Sequence, residues 1–167
     1  MSLTTILDKA SPSSFELVFP VVPQGTDLST NRELSLNIYS TIIPGLTMDV
    51  DEERWQGAKF TQATGSLTFE PWNVNFIVDS EFKNWLVLYN WLTYINNNHD
   101  KFIEAYDDYV VDATLRVMDN YQSQVFTLFF NNVWINSLGE LALSHREGEQ
   151  LLECNASFVY NRFETRS

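Results

Sequence analysis

The feature that most limits the fold of this chain is the alternation of apolar and polar residues in short segments separated by turns. In one such segment every second residue is large and apolar, namely Trp72, Val74, Phe76 and Val78. A period of two residues indicates a β-strand with one buried face, because successive side chains point to opposite sides. The pattern recurs in residues 15–21, 34–42, 46–51, 111–117 and 154–160. It predicts seven or eight strands, with a turn at residues 136–139 and a short strand near Leu141 and Leu143 before the last of them.

One segment has helical spacing instead. Residues 79–81 offer a capping side chain and an acid, and apolar residues then recur three or four positions apart up to Leu92. Leu88, Trp91 and Ile95 form a second apolar stripe on the same helix. We therefore expect one face of the helix, with Trp85, to cover the sheet. The second stripe is expected to contact another subunit.

Residues 46–65 alternate in character and carry many acids, which predicts a long projecting hairpin outside the core. Together these segments predict a mainly β fold with one helix (α+β): an antiparallel β-sandwich or partial barrel with a packed helix and a projecting hairpin. Residues 1–13 are expected to be an N-terminal arm, and residues 14–167 a single domain.

Charge and cysteine content narrow the possible partners. The chain has 167 residues with a formal net charge of −12, and such acidity disfavours ordinary binding to nucleic acid phosphates. It is compatible with a conduit through which DNA passes without sticking. Cys154 is the only cysteine, so it predicts a small core residue and excludes an intrachain disulfide. The most apolar stretch, residues 85–95, is too short to span a bilayer.

No catalytic or metal-binding motif stands out. The acids around Glu52 lack the glycine that a calcium loop requires, and His99 and His145 are not near a nucleophile motif. The chain also lacks a P-loop and a dinucleotide-binding fingerprint. We therefore expect no enzyme activity, no cofactor and no metal. Two alternatives stay open: a lipocalin-like barrel that binds a small molecule, and a wall hydrolase that uses carboxylates such as Glu52 or Asp108.

Several short motifs occur in an informative order. Residues 43–45 (IPG) end an early strand, residues 69–76 (FEPWNVNF) precede the helix, and residues 133–143 (VWINSLGELAL) precede a final strand that ends at 158–164 (FVYNRFE). In this order the sequence resembles the tail tube proteins of T4-like contractile phages over most of residues 14–164. Their fold is shared by the tubes of R-type pyocins and type VI secretion systems. This chain has Ile135 where that family often has proline, and a longer N-terminal arm.

The resemblance implies a structural subunit of a contractile tail tube. Its copies would form stacked hexameric rings, with strands closing into an inner β-barrel and the long hairpin reaching the adjacent ring. DNA would pass through the lumen without specific binding, and the partners would be the chain itself and the sheath, baseplate and tape-measure proteins, with no membrane. The protein would be located in the virion tail after assembly in the host cytoplasm. The two differences from the family, at Ile135 and in the N-terminal arm, are also compatible with a baseplate ring that initiates the tube.

These implications assign roles to particular side chains. Asp49, Asp51 and Glu53 are expected to line the channel from the polar face of the hairpin. The expected subunit interface consists of four apolar residues, namely Trp55, Leu88, Trp91 and Ile95. The aromatic surplus of the chain, with five Trp, seven Tyr and twelve Phe, fits such interfaces.

Overall fold

The computed structural model of the chain describes residues 14–19, 38–98, 106–118, 123–143 and 151–166. The predicted arm at residues 1–13, together with His99 and His145, lies outside the described residues. Nine strands and two helices are described: β1 (Phe15–Val18), β2 (Ile38–Thr41), β3 (Leu46–Trp55), β4 (Ala58–Phe69), β5 (Trp72–Ile77), α1 (Lys83–Asn97), α2 (Tyr106–Tyr109), β6 (Val111–Met118), β7 (Gln124–Leu138), β8 (Glu153–Val159) and β9 (Arg162–Arg166). The predicted class, mainly antiparallel β with one long helix, is confirmed.

Strand β7 is long enough to belong to two sheets. Its first half pairs with β6 on one edge and with β9 on the other, and β1 extends this group beyond β6. We call these four strands the β6 sheet. The second half of β7 pairs with β8, which pairs with β5, which pairs with β2. We call this group the β5 sheet. All pairings are antiparallel, and the described strands do not close into a barrel within the single chain.

The core lies between the two sheets and is dominated by aromatic rings. Trp72 of the β5 sheet stacks on Phe130 of the β6 sheet, with ring centroids 4.2 Å apart and planes 3° from parallel. Both rings are fully buried, as is Phe158. The Trp72 indole N–H donates a hydrogen bond to Thr41 Oγ1 at 2.9 Å, so its one polar atom is satisfied inside the core. Cys154 is buried with them, as its alternation predicted.

The interior of the described part of the chain is filled by side chains. The space between Phe19, Phe76 and Leu88 is too small to hold a water molecule. A barrel that binds a small molecule requires an internal cavity of several hundred Å³. No cavity of that size lies at this point of the core among the described residues.

Helix α1 begins at Lys83, just after the predicted start at residues 79–81, and the carboxylate of Asp79 accepts hydrogen bonds from backbone N–H groups there. Its Oδ1 accepts backbone N–H bonds from Lys83 at 2.8 Å and from Glu81 at 3.1 Å. Phe82, at the N-cap, has a left-handed backbone with φ 58°. Because the helix starts after Glu81, its first turn contains no acid, contrary to the prediction.

The predicted division of the helix faces was wrong. Leu88 and Trp91 are only 1% and 2% exposed, and they pack into the chain's own core rather than facing a neighbouring subunit. The indole of Trp91 meets Phe19 edge-on, and its N–H donates to the Tyr109 carbonyl at 2.8 Å. Trp85, expected to cover the sheet, is half-buried at the margin of the core.

The turn predicted at residues 136–139 is also absent. Strand β7 runs on to Leu138, because Ser137 and Leu138 pair with Ser157 and Ala156 of β8. Residues 141–143 contain no strand. Gly139 follows the strand, and its N–H donates to the Asn155 carbonyl at 2.7 Å. A Cβ there would lie 2.9 Å from that oxygen, so the close approach requires glycine.

Truncating Trp91 should therefore destabilise the isolated subunit. Trp91→Ala removes a buried ring and an indole hydrogen bond, and we expect a loss of about 3–5 kcal/mol in the free energy of unfolding. The matched control is Tyr89→Ala on the exposed side of the same helix, where the expected loss is under about 1 kcal/mol. Urea denaturation of the monomer measures both, and equal losses would contradict the burial described here.

Tyr160 gives a second prediction, through pH. Burial raises the pKa of its phenol to about 12, helped by the nearby Glu70 charge, and the hydroxyl donates to the Glu70 carbonyl at 2.8 Å. Since the folded pKa lies above the ordinary value of 10.0, this stabilisation is complete below pH 10 and is lost as pH rises through 12. By pH 11 the wild type should lose about 1.4 kcal/mol more than Tyr160→Phe. Identical pH slopes in urea denaturation would refute this.

Candidate assembly surfaces

The long hairpin is formed by β3 and β4, which pair only with each other among the described strands. Its tip is Gln56 and Gly57, both with positive φ (46° and 85°), as in the two-residue turns that match the twist of a hairpin. A side chain is unfavourable at such φ values, which explains glycine at the second position. At about 3.3 Å per residue, a strand of 12 residues extends roughly 40 Å. The predicted projecting hairpin is confirmed.

Almost the whole hairpin surface is exposed. Every residue of β3 is exposed, and so is every residue of β4 before Phe69. Six of these side chains are large and apolar: Leu46, Met48, Val50, Trp55, Phe60 and Leu67. An isolated two-stranded hairpin is only marginally stable in water, and exposed apolar clusters mark interaction sites. The hairpin therefore has the properties of a contact surface for a partner.

The acids predicted to line a channel all lie on this hairpin. Asp51 and Glu53 pair across the strands with Gln62 and Phe60, so they share a face with Trp55 at the tip. Glu52 lies on the opposite face, where it forms an ion pair with Lys59 at 2.6 Å. Asp49 lies at an irregularity in the pairing, and its backbone carbonyl accepts a bond from the Thr64 hydroxyl. All three predicted acids are exposed.

A second surface is an open groove between the second half of α1 and the end of β7. It has a volume of about 590 Å³ and is lined by Tyr89, Leu92, Thr93, Ile95, Asn96, Trp134, Ile135 and Asn136. Ile95 is thus the one residue of the predicted helix interface that reaches a surface. The structure places Trp55 apart from it, on the hairpin. Trp134 and Asn136 were not predicted to line a surface. Residues 136–139 were expected to form a turn, whereas strand β7 continues to Leu138.

The outer faces of the two sheets differ in charge. The β6 sheet exposes Arg116 and Arg162, which form ion pairs with Glu16 at 3.0 Å and Glu164 at 3.1 Å. Arg166 lies over the ring of Phe129 at 4.9 Å. By the strand registers, the outer face of the β5 sheet carries small polar residues together with one acid and two apolar residues: Ser40, Asn73, Asn75, Ser137, Asn155, Ser157, Glu153, Ile77 and Val159. The Asn155 amide donates to Asn75 Oδ1 at 2.8 Å across this face.

Within the described ranges, no group of three or more His, Cys, Asp or Glu side chains is arranged to hold a metal ion. No helix of the described residues is both long enough and apolar enough to cross a membrane. The prominent surfaces of the described residues are an exposed hairpin, unpaired strand edges and an apolar groove, and such features are typical of interaction surfaces.

Comparison with known proteins identifies the family. Residues 10–166 match the family model described as "Phage tail tube protein", and the chain belongs to this family. It is 26% identical over 171 residues to the tail tube terminator protein of Enterobacteria phage T4, covering 98% of this chain and 92% of that protein. The resemblance drawn from the short motifs, to the tubes of contractile tails, is confirmed.

Two solved structures have the same fold. A chain of the anti-feeding prophage cap, described as a tube terminating cap, superposes with a TM-score of 0.69 at 13% identity, covering 100% of this chain and 99% of that one. A chain of the sheath–tube complex of the extracellular contractile injection system PVC has a TM-score of 0.67 at 13% identity, with the same coverage. At this identity the likeness concerns the fold alone.

Proposed function

We propose that this protein is the subunit of a ring that terminates the tube of a contractile phage tail, around a channel through which DNA passes. The observation that carries the proposal is the end-to-end similarity to the T4 tail tube terminator, which covers 98% of this chain and 92% of that protein. The role is structural, as in the family to which the chain belongs.

The ring is proposed to be a homohexamer, as the family resemblance implies. Support comes from the unpaired edges of the described sheets, because an edge strand is stable when it pairs, is covered or is closed into a ring. The hairpin would contact the adjacent ring of the tube through its apolar residues. That Asp49, Asp51 and Glu53 face the channel stays a prediction. Contacts with the sheath, baseplate and tape-measure proteins, and assembly in the host cytoplasm, are likewise proposed.

A second candidate is the repeated subunit of the tube itself. It is favoured by the match to a chain of the PVC sheath–tube complex, which is nearly as good as the match to the anti-feeding prophage cap. The fold therefore does not separate the two roles, whereas the full-length sequence similarity supports the terminator. No observation favours a baseplate initiator over these two.

The two roles differ in how the protein polymerises. A terminator should form single rings with a central hole when it is concentrated, and it should bind the ends of preassembled tubes of its own tail without extending them. Negative-stain microscopy distinguishes this from the repeated subunit, which should form long tubes alone. A protein that stays monomeric when concentrated and also when mixed with tubes would overturn both candidates.

The hairpin should act in binding to the tube rather than in folding. Trp55→Ser combined with Phe60→Ser changes two exposed side chains on one face, at 69% and 53% exposure. We expect the free energy of unfolding to change by less than about 1 kcal/mol, while binding to tube ends falls at least tenfold. Thr61→Ala on the opposite face of β4 is the matched control and should bind normally. Normal binding by the double variant would exclude this face as the contact.

A further inference from the structure

The inner face of the β6 sheet is fully covered in its middle but not at one end. In the middle, one row of paired residues across β1, β6 and β7 is only 1% exposed: Leu17, Leu115 and Leu128. The next row, where β6 ends, is half-buried: Phe15, Val117 and Phe126. We call these three residues the end row. Phe15 and Phe126 pack against the core on one side, so the other side of the row is available to a further apolar group.

The described part of the chain starts directly beside the end row. Ser14 precedes Phe15, and its backbone carbonyl accepts a hydrogen bond from the N–H of Met118 at 2.9 Å. The arm, residues 1–13, is therefore attached at this end of the sheet. Residues 11–13 are Ser-Pro-Ser, a sequence typical of a turn, and three residues span at most about 10 Å. Residues 1–10 are thus tethered within reach of the end row of their own copy.

The arm carries apolar residues at helical spacing. They recur three or four positions apart and form one stripe: Leu3, Ile6, Leu7 and Ala10. Such spacing is typical of a short segment that lays one apolar face on an apolar surface. Because helix nucleation is costly, so short a segment has little helical stability in water and needs packing to supply it. The end row is the apolar surface at which the arm is attached.

Most of the arm lies outside the match to the tail tube family. That match covers residues 10–166, so Leu3, Ile6 and Leu7 precede it. The similarity to the T4 tail tube terminator covers 98% of this chain and therefore includes most of residues 1–9. This difference favours a role for the arm in termination rather than in the shared tube fold.

We propose that residues 3–10 pack on the end row of their own copy, at one rim of the proposed ring, and that this cover prevents a further ring from adding there. The inference rests on the proposed function and explains how a subunit with the fold of a tube protein stops the growth of the tube. The opposite rim stays free to bind the end of the tube.

The position of the end row in a ring follows from the direction of the strands. Strands in a closed wall run from one rim to the other with a tilt of about 35–45°, so their ends lie at the rims. The end row occupies the start of β1, the end of β6 and the beginning of β7. In the proposed ring it therefore lies where the next ring of a tube would be added, and an uncovered apolar row there would favour stacking.

Removing the stripe should convert single rings into stacks. Deletion of residues 2–10 takes the stripe away, and Leu3→Ser with Ile6→Ser and Leu7→Ser removes its apolar character at constant length. In negative-stain microscopy of concentrated protein, we expect both variants to form stacks of many rings where the wild type forms single rings. The matched control changes three residues off the stripe, Thr4→Ser, Thr5→Ser and Lys9→Ser, and should form single rings.

Cross-linking within one copy tests the position of the arm. In a Cys154→Ala background, a short bis-maleimide should join Ile6→Cys to Val117→Cys, and mass spectrometry of the digested protein detects the linked peptides. A mixture of copies that carry one substitution each should give no link. The matched control, Ile6→Cys with Leu86→Cys, pairs the arm with an exposed apolar residue of α1 and should also give none.

The outcomes separate this inference from the proposed function. If the wild type neither forms single rings nor binds tube ends, the proposed function fails. If the wild type does both, single rings from the deletion and the triple serine variant overturn the inference and leave the proposed function intact. The triple serine variant decides the matter if the deletion does not fold.

The remaining results bear on the inference alone. Stacking by the control that changes residues 4, 5 and 9 would overturn it, because the stripe is intact there. The absence of a link to Val117→Cys, or a link found only in the mixture or only with Leu86→Cys, would overturn the proposed position of the arm. Stacks from both stripe variants, together with the link to Val117→Cys within one copy, support the inference.

Discussion

The stacked contact between Trp72 and Phe130 is the interaction on which the rest of the structure depends. It joins the β5 sheet to the β6 sheet at a centroid distance of 4.2 Å, and Phe158 and Tyr160 pack around it. Offset aromatic stacking adds about 0.5–1.5 kcal/mol beyond the burial of the rings. Because one cluster of rings links both sheets, the chain can leave its sheet edges and its hairpin outside the core.

The apolar residues of this protein thus fall into two groups with different tasks. The buried group centred on Trp72 forms the core of the described residues. The exposed group, on the hairpin and beside β2, contributes nothing to the monomer's core. Removing apolar surface from water gains about 25 cal/mol per Å². Burying the exposed group against a partner would therefore be favourable. This fits a subunit that folds first and assembles afterwards.

Sequence patterns predicted the strands better than the contacts between elements. The alternation from Trp72 to Val78 identified the buried face of this segment completely. With a period of two, each side chain lies on one of only two faces, so the apolar residues define the buried one. Helical periodicity correctly placed Leu88 and Trp91 on the same stripe of the helix. Periodicity alone does not say which stripe contacts the sheet, and the stripe with Leu88 and Trp91 was wrongly predicted to contact another subunit. The turn residues at 136–139 were overridden by pairing with β8. The groove joins α1 to β7 and has no local signature in either segment.

The distribution of charge matters more than the total. The net charge of −12 suggested an acidic channel, and the described acids are spread over several surfaces, with four on the hairpin strand β3, two beside arginines of the β6 sheet and Glu153 on the outer face of the β5 sheet. Electrostatic effects are screened over about 8 Å in physiological salt, so a carboxylate acts on DNA only where the two lie close together. In the proposed ring, passage without adhesion requires only that the wall lack cations and apolar patches. The described strand residues on the outer face of the β5 sheet include no lysine or arginine, and the only charge among them is the carboxylate of Glu153.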